Sequence, residues 1–384
     1  MPRFILKLLL FALPVACYGL VAIGMPYYAG EFTPLRQVAA EQAASPVASL
    51  YGRAYRDDFV AYKLLSTQLR RANILALGSS RVWSFRAGLF NKAGASFYNA
   101  GGGANTISDL GQFVQALAAD QAPQVLIVGL DQDWFDPAHV PTLVTSPAEA
   151  LNQPAMDDQA LLNTGRSAMV DWLTGRWSVL QLLTRKDPIT QDHAVGIRAI
   201  MTGDGFRKDG SRQFGHLLSS PTATADRLAE TRRRIEISGD RFEYADQFSP
   251  TAVAKLGTFL DECQARGITV IGFSPPYAPS IYAEMAASAH YGYIPKLGAE
   301  LGRLFAAKGL AYFDFSDGHL PGITDDNFID GFHGSEIVYS QMYLQMLEAQ
   351  PDLLGQYSEA APLVARLQQP RMNNLTLFDN DAVP

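Results

Sequence analysis

The chain has 384 residues, 48% of them hydrophobic, and a formal net charge of -7. That is enough apolar material for one large core or two modest ones. The acidic balance, with a pI near 5.4, offers no broad cationic surface for phosphate backbones and argues against nucleic acid as a partner.

At the N-terminus, Arg3 and Lys7 precede Leu8 to Met25, "LLLFALPVACYGLVAIGM", and no charge follows before Glu31. Eighteen residues at about 1.5 Å each give roughly 27 Å of helix, close to the hydrocarbon core of a bilayer. Residues 1–30 therefore read as an uncleaved transmembrane anchor, and the basic residues on the short side place the main body outside the cytoplasm, in a periplasm or at a cell surface. A cleaved signal peptide is the rival reading, but "VAIGMPYYAGE" has no small-x-small cleavage site. A lipoprotein site at Cys17 after "LPVA" is the weaker alternative to a membrane-buried thiol. Since Cys263 is the only other cysteine, the exported part cannot form an internal disulfide and rests on its core.

Residues 31–70 read as a connector ending in a helix, with Phe59, Tyr62, Leu65 and Leu69 at helical spacing. Next comes a rhythm of strands at 73–78, 96–101 and 124–131, separated by helical candidates near 84–92 and 106–119. It resumes with a helix from about 250 to Gly267, strands at 268–273 and 310–315, and a last core helix at 335–347. Such alternation predicts βαβ units and an α/β fold with a mostly parallel sheet. Residues 137–249 are expected as an insertion into a domain spanning 71–370, not as a separate sheet, and 371–384 as a peripheral tail. Arg207, Lys208 and Arg212 in the insertion read as a solvated hairpin, with anionic-polymer binding the alternative.

In open parallel sheets ligands bind beyond the carboxyl ends of the strands. Four chemistry-bearing stretches stand at or near such positions: Gly78-Ser79-Ser80-Arg81, Asn99 to Ala104 ("NAGGGA"), Gly129-Leu130-Asp131-Gln132-Asp133, and Asp330-Gly331-Phe332-His333. A serine hydroxyl attacks only when a base removes its proton, and a histidine oriented by a carboxylate is the usual base. Asp330 and His333, three apart, can supply both. Backbone N–H groups of the glycine turn and a carboxamide after the third strand can supply oxyanion donors. The plainer readings are Ser80 as a helix N-cap, His333 as a cap near Ser335, and Asp330-Gly331 as a turn. His319 is a reserve base.

These four blocks, in this order, resemble the SGNH (GDSL-like) hydrolase family over roughly residues 73–347. The resemblance implies a three-layer α/β/α fold, with Ser80 as nucleophile, His333 as base and Asp330 as its orienting carboxylate. It implies oxyanion donors at Gly103 or Ala104 and at Gln132. Arg81, Asp131 and Trp134 beside them are candidate substrate contacts, with wall or core the plainer reading of Trp134. Ser79 stands where the family usually has aspartate, a variant similar to the membrane-anchored branch acting in teichoic-acid D-alanylation and polysaccharide O-acetylation. No cofactor or metal is expected. The implied partners are an acylated envelope polysaccharide and a multispanning membrane acyltransferase that delivers the acyl group. Two other readings remain open: a non-catalytic accessory of envelope polysaccharide assembly, and a metal-dependent glycosyltransferase using Asp131 and Asp133 as an Asp-x-Asp pair.

Overall fold

The structure, a computed structural model, describes residues 2–56, 58–139, 146–150, 158–184, 193–218, 227–371 and 373–378. Its strands are β1 (Ser49–Tyr51), β2 (Ile74–Gly78), β3 (Phe97–Gly101), β4 (Val125–Gly129), β5 (His193–Val195), β6 (Asp204–Arg207), β7 (Arg212–Phe214), β8 (Thr269–Ser274) and β9 (Ala311–Asp314). The chain divides into two compact units. One comprises Met1–Asp58, Asn152–Lys208 and Arg212–Ser220, the other Phe59–Leu151, Asp209–Ser211 and Pro221–Pro384.

The larger unit is an α/β domain around a five-stranded, all-parallel sheet in the order β3-β2-β4-β8-β9. Ile74, Leu75, Ala76 and Leu77 are all buried. Because successive side chains point to opposite faces, burial of consecutive residues means that both faces of the sheet are covered. The five strands fall within a residue or two of their expected positions, as do the helices Phe59–Arg70, Pro250–Ala265 and Glu336–Ala349, while Ile107–Gln115 ends four residues short of the expected 119. β2 pairs with β3 on one side and β4 on the other, so the chain reverses its winding direction at β2. That switch point opens a crevice beyond the carboxyl ends of β2, β3 and β4.

Two expectations for this unit fail. The region near 84–92 holds no α-helix, only short 3-10 turns at Ser80–Val82 and Ala87–Leu89. Here the backbone is taken over by Asn99, whose Nδ2 donates to the carbonyls of Val82 and Phe85. The tail is also not peripheral throughout, since Leu377 and Phe378 are buried and their N–H groups donate to Glu336 Oε2 at 3.0 and 3.1 Å. The other Glu336 oxygen meets Arg86, which also reaches Asp209, in a buried ion triad.

The smaller unit holds a second sheet, in the order β5-β1-β6-β7. The region expected as an insertion without its own sheet therefore supplies three strands: β5 and β6 pair with β1 from the connector, and β7 pairs with β6. These strands are three or four residues long and carry Gly, Arg, Gln and His, which hides them from a search for apolar runs. Arg207 is buried and donates to the Arg212 carbonyl, and Lys208 donates to the Ser45 carbonyl. The hairpin is thus turned inward at its basic positions rather than solvated.

The N-terminal helix Pro2–Gly19 continues through a π-turn, Leu20–Gly24, into Met25–Ala29. Together Arg3–Ala29 is long and apolar enough to cross a membrane. From Val21 onward it packs with Ala168, Trp177, Leu182, Ile197 and Ile200 in a small core of this unit. Glu31, the first charge after the span, is buried and accepts the N–H groups of Ala54 and Ile197. Burial raises its carboxyl pKa, against the pull of those donors.

Candidate active site

β2 ends in Gly78, where a Cβ would lie 2.6 Å from Val82 Cγ2 and 3.0 Å from the Gly129 carbonyl oxygen. The absence of a side chain lets the turn fold back tightly over the strand end. Ser79 then caps the turn Ser80–Val82, its Oγ accepting the Arg81 N–H at 3.1 Å. The capping role that competes with catalysis for Ser80 is therefore filled by Ser79, and the Ser80 hydroxyl is left for another partner.

That partner is His333. Ser80 Oγ lies 2.9 Å from His333 Nε2, and His333 Nδ1 lies 2.7 Å from Asp330 Oδ2. Gly331 makes the short return possible: at φ 81 it occupies the left-handed region that favours glycine. The other Asp330 oxygen accepts the N–H groups of Phe332 and His333 at 3.0 and 2.8 Å. Burial disfavours the charged carboxylate, but His333 and those two N–H groups outweigh it and hold the Asp330 pKa at about 2. An ionised carboxylate only accepts, so Nδ1 carries the ring proton and Nε2 presents its lone pair to the serine. The imidazole is flanked by Phe332, edge-on at 5.1 Å, and by the nearly parallel Trp83 ring at 6.1 Å. Ser84 Oγ donates to the Gly334 carbonyl and ties the serine turn to the histidine loop.

The residues expected as oxyanion donors have their hydrogens engaged within the protein. The Gly103 N–H donates to the Ala100 carbonyl and the Ala104 N–H to the Gly78 carbonyl, so both serve the turn itself. Gln132 is buried, accepts from Arg81, and spends both amide hydrogens on the Pro275 carbonyl and Ser316 Oγ, each at 2.8 Å. It braces the strand ends and has no hydrogen left to donate to substrate. Arg81 is likewise a strut. It is buried, bonded to Gln132 and to the carbonyls of Pro275 and Pro276, and sandwiched 4.4 Å from both the Tyr277 and Phe332 rings.

Two residues not foreseen complete the crevice. Asn105 lies just past the glycine run, and its Oδ1 accepts from Arg241 Nη2 at 3.3 Å. Because a guanidinium only donates, the contact fixes the amide orientation and turns Asn105 Nδ2 the other way. Neither that nitrogen nor the Ser80 backbone N–H has a partner among the described residues. Arg241 comes from a turn in which Ser238, Asp240 and Arg241 all have positive φ, at 51°, 54° and 79°, conformations that cost non-glycine residues of order 1 kcal/mol each. The signal in sequence was faint, because no periodicity or spacing marks a lone arginine 136 residues from its asparagine.

Arg241 also meets Asp131 Oδ2 at 3.2 Å, the same oxygen that accepts the Ser79 hydroxyl at 2.6 Å. Asp131 is fully buried, so it holds Ser79 and Arg241 in place and is not presented to a substrate. A guanidinium stands where an Asp-x-Asp site would need its cation, and among the described residues no cluster of potential metal ligands occurs. Asp133 lies 3.5 Å from His139 and 3.9 Å from Arg241. Burial, with a further push from Asp131, raises its carboxyl to about 7 despite Arg241. Burial likewise lowers the His139 pKa. Trp134 is the one expected substrate contact that faces open space, lining a cavity of about 400 Å³ with Asp136, His139 and Lys255. His319, the reserve base, is exposed and among the described residues pairs only with Asp317, at 3.6 Å. No protein-family model, curated protein or solved structure matches the chain, so a functional reading of this crevice rests on its geometry and on the sequence blocks that produce it.

Proposed function

We propose that the protein is a membrane-anchored, extracytoplasmic serine acyl-transfer enzyme with an SGNH-like three-layer fold, acting on esters of a cell-envelope polysaccharide. The observation that carries this reading is the continuous relay from Ser80 Oγ through His333 to Asp330, open to solvent at the serine. Ser80 attacks the ester carbonyl while its proton passes to His333 Nε2. The Ser80 N–H and Asn105 Nδ2 are the donors left over for the oxyanion. Collapse of the tetrahedral intermediate expels the alcohol, which takes the proton back from His333, and leaves acyl-Ser80. A sugar hydroxyl or water then repeats the sequence in reverse order. The basic residues before the span favour an exported domain, where cytosolic acyl donors are absent. A multispanning membrane acyltransferase is the class of partner that could deliver the acyl group.

The test is to incubate the detergent-solubilised full chain with p-nitrophenyl acetate, follow nitrophenol release, and locate the acetyl group by mass spectrometry. Acetylation at Ser80, lost together with release in Ser80→Ala and His333→Ala, is expected. Equal release by the parent and both variants would leave the accessory-protein reading instead.

A further inference from the structure

The smaller unit carries an apolar surface that its own core does not use. On the helices Asp158–Leu173 and Val179–Thr184, Leu162, Leu173 and Leu180 are 67%, 70% and 71% exposed, and Val170, Trp172 and Leu183 are exposed beside them. At about 100° per residue, Leu162 and Leu173 fall within roughly 20° of one another on the first helix, forming one stripe. A neighbouring face, centred roughly 120° around the helix, holds Thr164, Gly165 and Ala168, which are buried. A Cβ on Gly165 would lie 3.0 Å from Ile23 Cδ1 and 3.4 Å from the Ala22 carbonyl, so the contact with the N-terminal helix is close. Large exposed apolar patches on soluble surfaces mark interaction sites.

The N-terminal helix says what covers the stripe. Its apolar side chains Phe4, Leu10, Phe11, Leu13, Val15 and Leu20 are exposed, and burial begins at Val21. The stretch from Arg3 to Leu20 is about 27 Å of helix, close to the roughly 30 Å of a hydrocarbon core. A bilayer around that stretch ends near Val21, and it is there that the Asp158–Leu173 helix crosses, at Ala22 and Ile23. Tyr18, within one turn of Val21, is exposed, as expected at an interface. Arg166, next to the leucine stripe on the helix wheel, has a stem long enough to bring its charge up to the headgroups.

We infer that the outward leucines of these two helices lie in the extracytoplasmic leaflet, so that the protein is held by a monotopic patch in addition to its spanning helix. The lipid bilayer is the partner: leucine and tryptophan side chains enter the boundary between headgroups and acyl chains as an interfacial amphipathic helix does. The inference rests on the N-terminal helix being a retained anchor, so the experiment reads the two separately.

The full-length chain, with Cys263 replaced by serine, is labelled with NBD in phosphatidylcholine vesicles. One protein carries the label at native Cys17, which reports the anchor. Three others, with Cys17 also replaced by serine, carry it at Leu173→Cys, Leu180→Cys or Ser167→Cys, the last on the polar side of the first helix. Expected are blue-shifted emission and quenching by nitroxide-bearing lipid at 17, 173 and 180, with aqueous emission and iodide quenching at 167. Lipid exposure at 17 together with aqueous emission at 173 and 180 overturns the patch and leaves the anchor. Aqueous emission at all four positions overturns both.

Discussion

Two carboxylate centres stand in the larger unit, and they are built on opposite electrostatic principles. Asp330 is wrapped by its own turn, with two N–H groups on one oxygen and an imidazole on the other, and its pKa is held at about 2. Asp131 and Asp133 are buried side by side with one guanidinium between them, and Asp133 is pushed up to about 7. The first arrangement keeps a charge permanently available to orient a histidine. In the second, Asp131 takes the hydrogen bonds of Ser79 and Arg241 and holds them in place, while burial beside Asp131 makes ionisation of Asp133 costly. Position relative to the sheet is therefore not enough to assign a role, because donors to each oxygen decide what a carboxylate can do.

The sharpest way to break this contrast is to neutralise each centre. Asp330→Asn keeps the shape but removes the acceptor that sets the His333 tautomer, and ester turnover is expected to fall by about 10³ to 10⁴-fold. The sign of its stability effect follows from the lowered pKa: ionised Asp330 stabilises the fold above the unfolded value near 4, and the contribution is lost as pH falls toward 2. Urea midpoints of parent and variant should therefore differ at pH 7 and converge near pH 2. Asn105→Ala, which removes the free carboxamide while leaving the relay intact, is expected to lower kcat by about 10² to 10³-fold without loss of acyl-Ser80 detection at long times. An unchanged kcat would remove Asn105 from the oxyanion site.

The parallel sheet was legible because its strands are apolar on both faces and end in glycine or polar turns, so that β2, β4 and β8 stand out as short continuous runs. The relay residues were legible for a related reason, since Ser80 follows a strand end and Asp330 and His333 meet across one turn. What stayed hidden depends on partners distant in sequence. Gln132 is excluded as a donor only because Pro275 and Ser316 take its hydrogens. Asn105 is oriented only by Arg241. The second sheet is invisible to periodicity because β1, β5, β6 and β7 are too short and too polar to alternate, and because β1 and its partners lie more than 140 residues apart.

Asp133 sharpens the comparison through pH. A carboxyl raised to about 7 in the fold from an unfolded value near 4 costs stability as pH rises through that window, because the unfolded chain releases its proton first. Asp133→Asn should therefore raise Tm at pH 8 and change it little at pH 4, by about 2 °C or less for each kcal/mol relieved in a chain of this size. A thermal shift equal at both pH values would show that Asp133 is not the group titrating there.

The smallest net effect is expected from exchanging two positions together. Ser79, just past β2, and Asp131, just past β4, meet in the fold: Ser79 Oγ donates to Asp131 Oδ2 at 2.6 Å, with both residues fully buried. An aspartate at 79 would press a carboxylate against Asp131, whereas a serine supplies the hydrogen that Asp131 needs. Ser79→Asp alone is expected to destabilise the protein by a few kcal/mol through an unpaired buried charge. Asp131→Asn alone leaves Arg241 without its counter-charge and is expected to cost less. The double variant Ser79→Asp with Asp131→Asn restores a donor facing an acceptor and keeps one carboxylate for Arg241. Its urea midpoint should return close to that of the parent, with a coupling of about 1 to 3 kcal/mol in the double-mutant cycle. Additive losses would mean that the two positions are independent and that Ser79 acts only as the cap of the Ser80 turn.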